Sequence, residues 1–133
     1  MPASPELIAH ARDLFADLAP IRVGGLFGGS ALYIEDDVMF ACIIGDVIYM
    51  KSDAKTLPQF EQAGASPFCY DKPKGTTVVT SLMSLPDSAL DDPNEARIWA
   101  QLAYGPALKA AEKKRIAKAR KAAQKTAHQG KRS

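Results

Sequence analysis

Arg22 opens the stretch Arg22-Val23-Gly24-Gly25-Leu26-Phe27-Gly28-Gly29. A planar guanidinium beside glycine-rich backbone suits a carboxylate or a phosphate, because its forked N–H groups and open amides can meet the same oxygens. Arg22, Gly28 and Gly29 are therefore candidates for a small anionic-ligand site. A competing reading pairs Arg22 with an acid such as Asp17 or Asp71. The glycines then serve a bulge or a close backbone crossing. A Walker-type phosphate loop needs Gly-Lys-Ser/Thr opening a helix, and a dinucleotide fingerprint needs a strand before it and a helix after. These glycines lead into a strand instead.

The second cationic feature lies at the other end. Residues 107–133 hold ten Lys/Arg against the single acid Glu112, a net charge of +9. Residues 1–106 hold seven Lys/Arg against fourteen Asp/Glu, a net charge of −7. The whole-chain value of +2 hides this split. Lys113, Lys114, Arg115, Lys118, Arg120 and Lys121 are the nucleic-acid candidates, suited to weak, salt-sensitive attraction to phosphate backbones without base specificity. No aromatic residue follows Tyr104, so the tail lacks stacking platforms for single strands. The bland alternative is a solubilising end that touches its own acidic body.

Other chemistries lack parts. Nucleophilic catalysis needs a base oriented by a third group. The two histidines do not supply one: His10 falls off the apolar stripe of its helix, where solvent is expected, and His128 sits in the tail. Glu35-Asp36-Asp37 reads as a solvated turn rather than a divalent-metal loop, which needs more arranged oxygens. Cys42 and Cys69 stand among apolar and aromatic neighbours and read as small buried hydrophobes. The expectation is a non-enzymatic protein with no cofactor and no metal. No apolar run reaches the roughly 18 residues of a membrane span, and Met-Pro-Ala-Ser-Pro-Glu is no signal peptide. A cytoplasmic location is expected.

The elements that must carry these residues follow from the pattern. Ser4-Pro5-Glu6 is a helix start, with Leu7, Ile8, Ala11, Leu14, Phe15 and Leu18 as its apolar stripe and Pro20 as its end. Ser30–Ile34, Val38–Ile44 and Val47–Lys51 read as an antiparallel meander, turned at Gly45-Asp46. Thr56 starts a short helix with Phe60 inward and Gly64 closing it. Phe68–Tyr70 and Thr76–Leu82 are two further strands. Asp92-Pro93-Asn94-Glu95 is a capping box. The helix after it is expected to bury Ile98, Leu102 and Leu108, with Trp99 on the sheet, and to kink or break at Gly105-Pro106. The fold class is α+β, an antiparallel sheet packed by helices in the order α-β-β-β-α-β-β-α. Residues 1–106 form the domain, and 107–133 form a basic Ala/Lys/Arg-rich tail, helical and then disordered after about Gln124.

Several of these pieces resemble the N-terminal domain of the TfoX/Sxy competence regulators. They are Arg22 with Phe27-Gly28-Gly29, Leu32-Tyr33-Ile34, Val38-Met39-Phe40-Ala41, Tyr49-Met50-Lys51, Phe60…Gly64…Pro67-Phe68…Tyr70, Leu85-Pro86, Leu90-Asp91-Asp92 and Trp99-Ala100. The resemblance runs from about residue 7 to about residue 110. Leu26 stands where a methionine is usual, Ala31 where a glycine is common, and the basic tail where the regulators carry a second domain. The resemblance implies a regulatory interaction domain concerned with DNA uptake competence, acting through contacts with a protein partner in transcription regulation. Two alternatives stay open: a nucleic-acid-associated accessory protein using the tail, and a small anionic-ligand module at the Arg22 loop.

Overall fold

In the computed structural model, described for residues 5–132 apart from 19, 27, 28 and 36 and for side chains up to residue 123, the chain forms one sheet with helices on one face. Helix α1 is Pro5–Leu14. Strands β1 (Arg22–Leu26), β2 (Gly29–Ile34), β3 (Val38–Ile44) and β4 (Val47–Lys51) follow in succession, then α2 (Leu57–Gln62), β5 (Pro67–Lys72), β6 (Gly75–Ser84), a short 3-10 turn and α3 (Pro93–Arg132). The six strands lie in the order β1-β2-β3-β4-β6-β5 and every neighbouring pair is antiparallel.

The expected α+β class holds, with one strand more than the sequence pattern predicts. The extra strand is β1, whose Arg22-Val23-Gly24-Gly25-Leu26 has no alternating apolar face. It is held by its ladder to β2, which pairs Arg22 with Tyr33 and Gly24 with Ala31. The hairpin at Gly45-Asp46 forms as expected: Gly45 takes φ +61° and Ile44 pairs with Val47.

One register break arranges the core. Leu32 pairs with Ala41 but Tyr33 pairs with Met39, so Phe40 is an extra residue in β3. A bulge of this kind shifts the alternation by one. Val38, Phe40, Ala41 and Ile43 accordingly all join the core under the helices, and Met39, Cys42 and Ile44 belong to a smaller cluster with Phe68 and Leu82. Phe40 meets Phe15 edge-on, with centroids 5.2 Å apart.

Helix α3 departs from expectation in two ways. It runs as one helix through Gly105-Pro106, where a kink or break is expected, to Arg132. Proline removes one helical hydrogen bond at a cost of about 3 kcal/mol, and burial on both sides offsets that loss. Ala96, Ala100, Ala103, Ala107 and Ala111 are all buried at spacings of four, three, four and four, and Pro106 is buried beside them. The second departure is that this alanine stripe, not Ile98, faces the sheet. Ile98 is 57 % exposed. Trp99, expected on the sheet, is half-buried with its ring 4.8 Å from that of Phe60 in α2.

The caps also differ in detail. Asp92 accepts from the amides of Asn94 and Glu95, but Glu95 accepts from the Ser88 hydroxyl and does not complete the reciprocal box. At α2 the N-cap residue Thr56 makes no side-chain cap bond, and Asp53 instead shapes the turn before the helix, accepting from the amides of Lys55 and Thr56. Ser4, the expected cap of α1, lies outside the described residues. Helix α1 ends at Leu14, short of the stop expected at Pro20, and residues 15–18 form turns.

The alanine stripe makes a direct prediction. Ala103→Leu forces a larger side chain into a closed helix–sheet seam and should destabilise by about 1–3 kcal/mol. Ile98→Ala, on the exposed side of the same helix, should change stability by less than about 0.5 kcal/mol. Urea midpoints of the two variants check this.

Candidate functional site

The residues that could do chemistry fall on two elements that meet at one edge of the sheet. At the β1–β2 edge, Gly24 leaves room for the Tyr33 ring: a Cβ there would stand 2.9 Å from Tyr33 Cε2. Into that space the cross-strand partners Arg22 and Tyr33 stack, the guanidinium carbon lying 4.1 Å from the ring centroid. The stack holds the guanidinium flat by cation–π attraction. Gly29, at the start of β2, is required by close approach, because a Cβ there would fall 2.1 Å from the Ile43 carbonyl oxygen. It thus shapes the β2–β3 pairing rather than offering an open amide loop. Gly28 lies outside the described residues.

Helix α3 is brought to this edge by contacts with the acidic body on both flanks. Tyr104 donates to the Glu35 carboxylate at 2.8 and 3.0 Å. Arg115 makes a two-pronged pair with Asp37, its Nε donating to Oδ2 at 2.7 Å and its Nη2 to Oδ1. Lys109 reaches Asp53 on the opposite flank at 3.6 Å. The solvated turn expected at Glu35 and Asp37 is instead a docking point: with Glu35 at φ +51°, it aims both carboxylates at α3. Exposed pairs of this sort contribute little energy singly, but their geometry fixes which face of α3 meets the sheet edge.

Between these walls runs an open groove of about 810 Å3. Arg22, Tyr33 and Asp37 line the sheet side. Lys114, Arg115, Lys118, Arg120 and Lys121 line the helix side over a floor that includes Ala111 and Ala117. The two cationic features that read as separate candidates in the sequence therefore share one groove: Arg22 belongs to the same wall system as five of the six helix cations. Lys113 is exposed on α3 and is not among the lining residues. The groove holds six cations against the single acid Asp37, which the Arg115 pair occupies.

The charges and hydrogen bonds along this edge shift the acid–base behaviour of its groups. Hydrogen bonding from Arg115 holds the Asp37 carboxyl below its ordinary 3.8. The same pair pushes Arg115 upward. Hydrogen bonding to the Glu35 carboxylate raises the Tyr104 hydroxyl. Burial pushes the Lys51 ammonium down, and the positive charge of Lys114 adds to the effect.

The remaining candidates lie elsewhere. His10 is not solvated: it is half-buried, with Nε2 donating to the Leu90 carbonyl at 2.6 Å, because α1 lies against the turn before α3. Cys42 is buried, and burial raises its thiol to about 11. Cys69 corrects the expectation of burial. It is exposed, since β5 is an edge strand, and its Sγ sits 3.7 Å from the Pro67 carbonyl oxygen. Among the described residues no three His, Cys, Asp or Glu side chains gather as a metal site, and no helix is long and apolar enough to cross a membrane.

With the geometry in place, comparison with known proteins adds one finding. A family model described as TfoX N-terminal domain matches residues 13–107, which runs from the end of α1 into α3 as far as Ala107 and includes Arg22, Tyr33 and Asp37 but none of the groove cations of α3. No curated protein matches the sequence.

Two measurements follow from this chemistry. In an NMR titration the Asp37 carboxyl should protonate below 3.8, and Arg115→Gln should move its midpoint up toward the ordinary value. The sign is that of a lowered acid: the pair's contribution is complete above the ordinary value and is lost only as pH falls through the lowered one. In the native protein a thiol reagent near neutral pH should label Cys69 rapidly and Cys42 only after denaturant is added.

Proposed function

Since the chain belongs to the TfoX N-terminal domain family, we propose that it is a regulatory domain that works by binding rather than by catalysis, and that its working surface is the groove between the β1–β2 edge and α3. Competence-related regulation is the part of this reading that rests on the family alone, and a cytoplasmic location is the part that rests on the sequence pattern. The observation that carries the rest is the convergence of Arg22, Lys114, Lys118, Arg120 and Lys121 on one open groove, with the body elsewhere net negative. Such a surface attracts an extended anionic partner and repels it from every other side. A protein partner in transcription regulation, the partner expected from the family resemblance, would have to present an acidic segment to it.

The reading is tested with full-length protein on immobilised heparin, a generic polyanion. Lys114→Glu/Lys118→Glu reverses two groove charges, and Lys55→Glu/Lys74→Glu makes the same change in net charge outside the groove. The groove variant should elute at clearly lower salt than the control, with both melting as wild type. Equal elution of the two variants would show that net charge alone governs retention and that the groove is not the working surface.

A further inference from the structure

Resting on that reading of the groove, we infer that its occupant is the phosphate backbone of duplex nucleic acid, gripped without reading of base sequence. The first support is charge spacing. From Lys114 to Lys121 the helix brings Lys114, Arg115, Lys118, Arg120 and Lys121 to the groove and carries no acid. This segment rises about 10.5 Å, one cation per roughly 2 Å of axis. A duplex carries one phosphate charge per about 1.7 Å of its axis, counting both strands. An extended acidic peptide advances about 3.3 Å per residue, so even an unbroken run of Asp and Glu offers about half that density.

The second support is the shape of the positive region. The helix stands along the groove while Arg22 faces it from the sheet edge, so cations stand on both sides of a bound backbone. The flat guanidinium of Arg22, set on Tyr33, suits the two oxygens of one phosphate. Asp37 sits within the groove, but Arg115 already engages it, so its charge is partly met before a ligand arrives.

The third support is the chemistry of the lining. Tyr33 is the only aromatic side chain among the lining residues, and Arg22 covers one of its faces. Single-strand binders use successive aromatic faces for successive bases, and base readers send side chains into a groove of the duplex. The lining residues offer lysines and arginines with no Asn or Gln beside them, a set suited to phosphate oxygens, whose contacts carry no sequence information.

The test measures fluorescence anisotropy of the full chain against a 30-base-pair mixed-sequence duplex, a shuffled duplex and polyglutamate, each over a range of salt. Both duplexes should bind alike, and polyglutamate should bind more weakly. Lys114→Gln/Lys118→Gln/Lys121→Gln should flatten the plot of log affinity against log salt by about 2.7, or about 0.9 for each phosphate no longer neutralised. Lys55→Gln/Lys72→Gln/Lys74→Gln should leave that slope unchanged. If polyglutamate bound as tightly as duplex and lost affinity in the groove variant, the occupant would be an acidic protein segment. The nucleic-acid inference would then fall and the groove reading would stand. Equal flattening in both triple variants, or binding of neither polymer, would overturn both. A strong preference between the two duplexes would overturn the claim that sequence is not read.

Discussion

A helix can approach a sheet only as closely as the side chains between them permit, and along α3 those side chains are alanines. Ala96, Ala100, Ala103, Ala107 and Ala111 are 0 to 4 % exposed, and each contributes a single methyl group to the seam. Burying a methyl is worth little beside burying a leucine, so the stripe's main effect is geometric. It lets the helix backbone lie close over β3 and β4, and it fixes the rotation of α3 about its own axis. With that rotation set, Lys114, Lys118 and Lys121 fall toward the β1–β2 edge, and Ile98 falls toward solvent. The same close seam carries the helix through Pro106, where an isolated helix would break.

Charge then refines what packing begins. The net −7 of residues 1–106 and the net +9 of residues 107–133 are not two independent surfaces. Glu35, Asp37 and Asp53 reach up from the turns to Tyr104, Arg115 and Lys109, so a few acids of the body hold the helix in place. The cations further along the lining have no acid among their groove neighbours except Asp37. A surface of one sign is left, bordered by a body of the other, and an anion approaching at random is steered to one side.

Much of this can be read from the residues, and the exceptions have physical causes. The β2–β3–β4 meander announces itself through β-branched alternation and the Gly45-Asp46 turn, and Phe60, Phe15 and Leu14 are recognisable as core. Strand β1 is hidden because Val23-Gly24-Gly25 carries no alternating apolar face; only its ladder to β2 makes it a strand. The core face of α3 is hidden because alanine gives almost no hydrophobic signal, and the eye falls on Ile98 and Leu102 instead. The bulge at Phe40 leaves no mark in composition. Arg22 and the helix cations each stand out singly, but nothing in their spacing, about ninety residues apart, shows that they share a groove. The one signal that could join them is the acidic turn at Glu35 and Asp37, opposite in charge to the helix and close in sequence to Tyr33.

In the function proposed, a packed helix and not a free charged chain makes the anionic-partner surface. Ala107→Leu tests it most directly, because it leaves every charge in place and changes only the seam. Its duplex affinity should be measured against wild type by anisotropy at a fixed low salt, with circular dichroism confirming that helix content is retained. The packed-helix account predicts that lifting α3 from the sheet separates the Arg22 wall from the lysine wall and weakens binding several-fold. Unchanged affinity in a protein whose melting temperature has fallen would contradict it, and would mean that the cations bind wherever the helix goes.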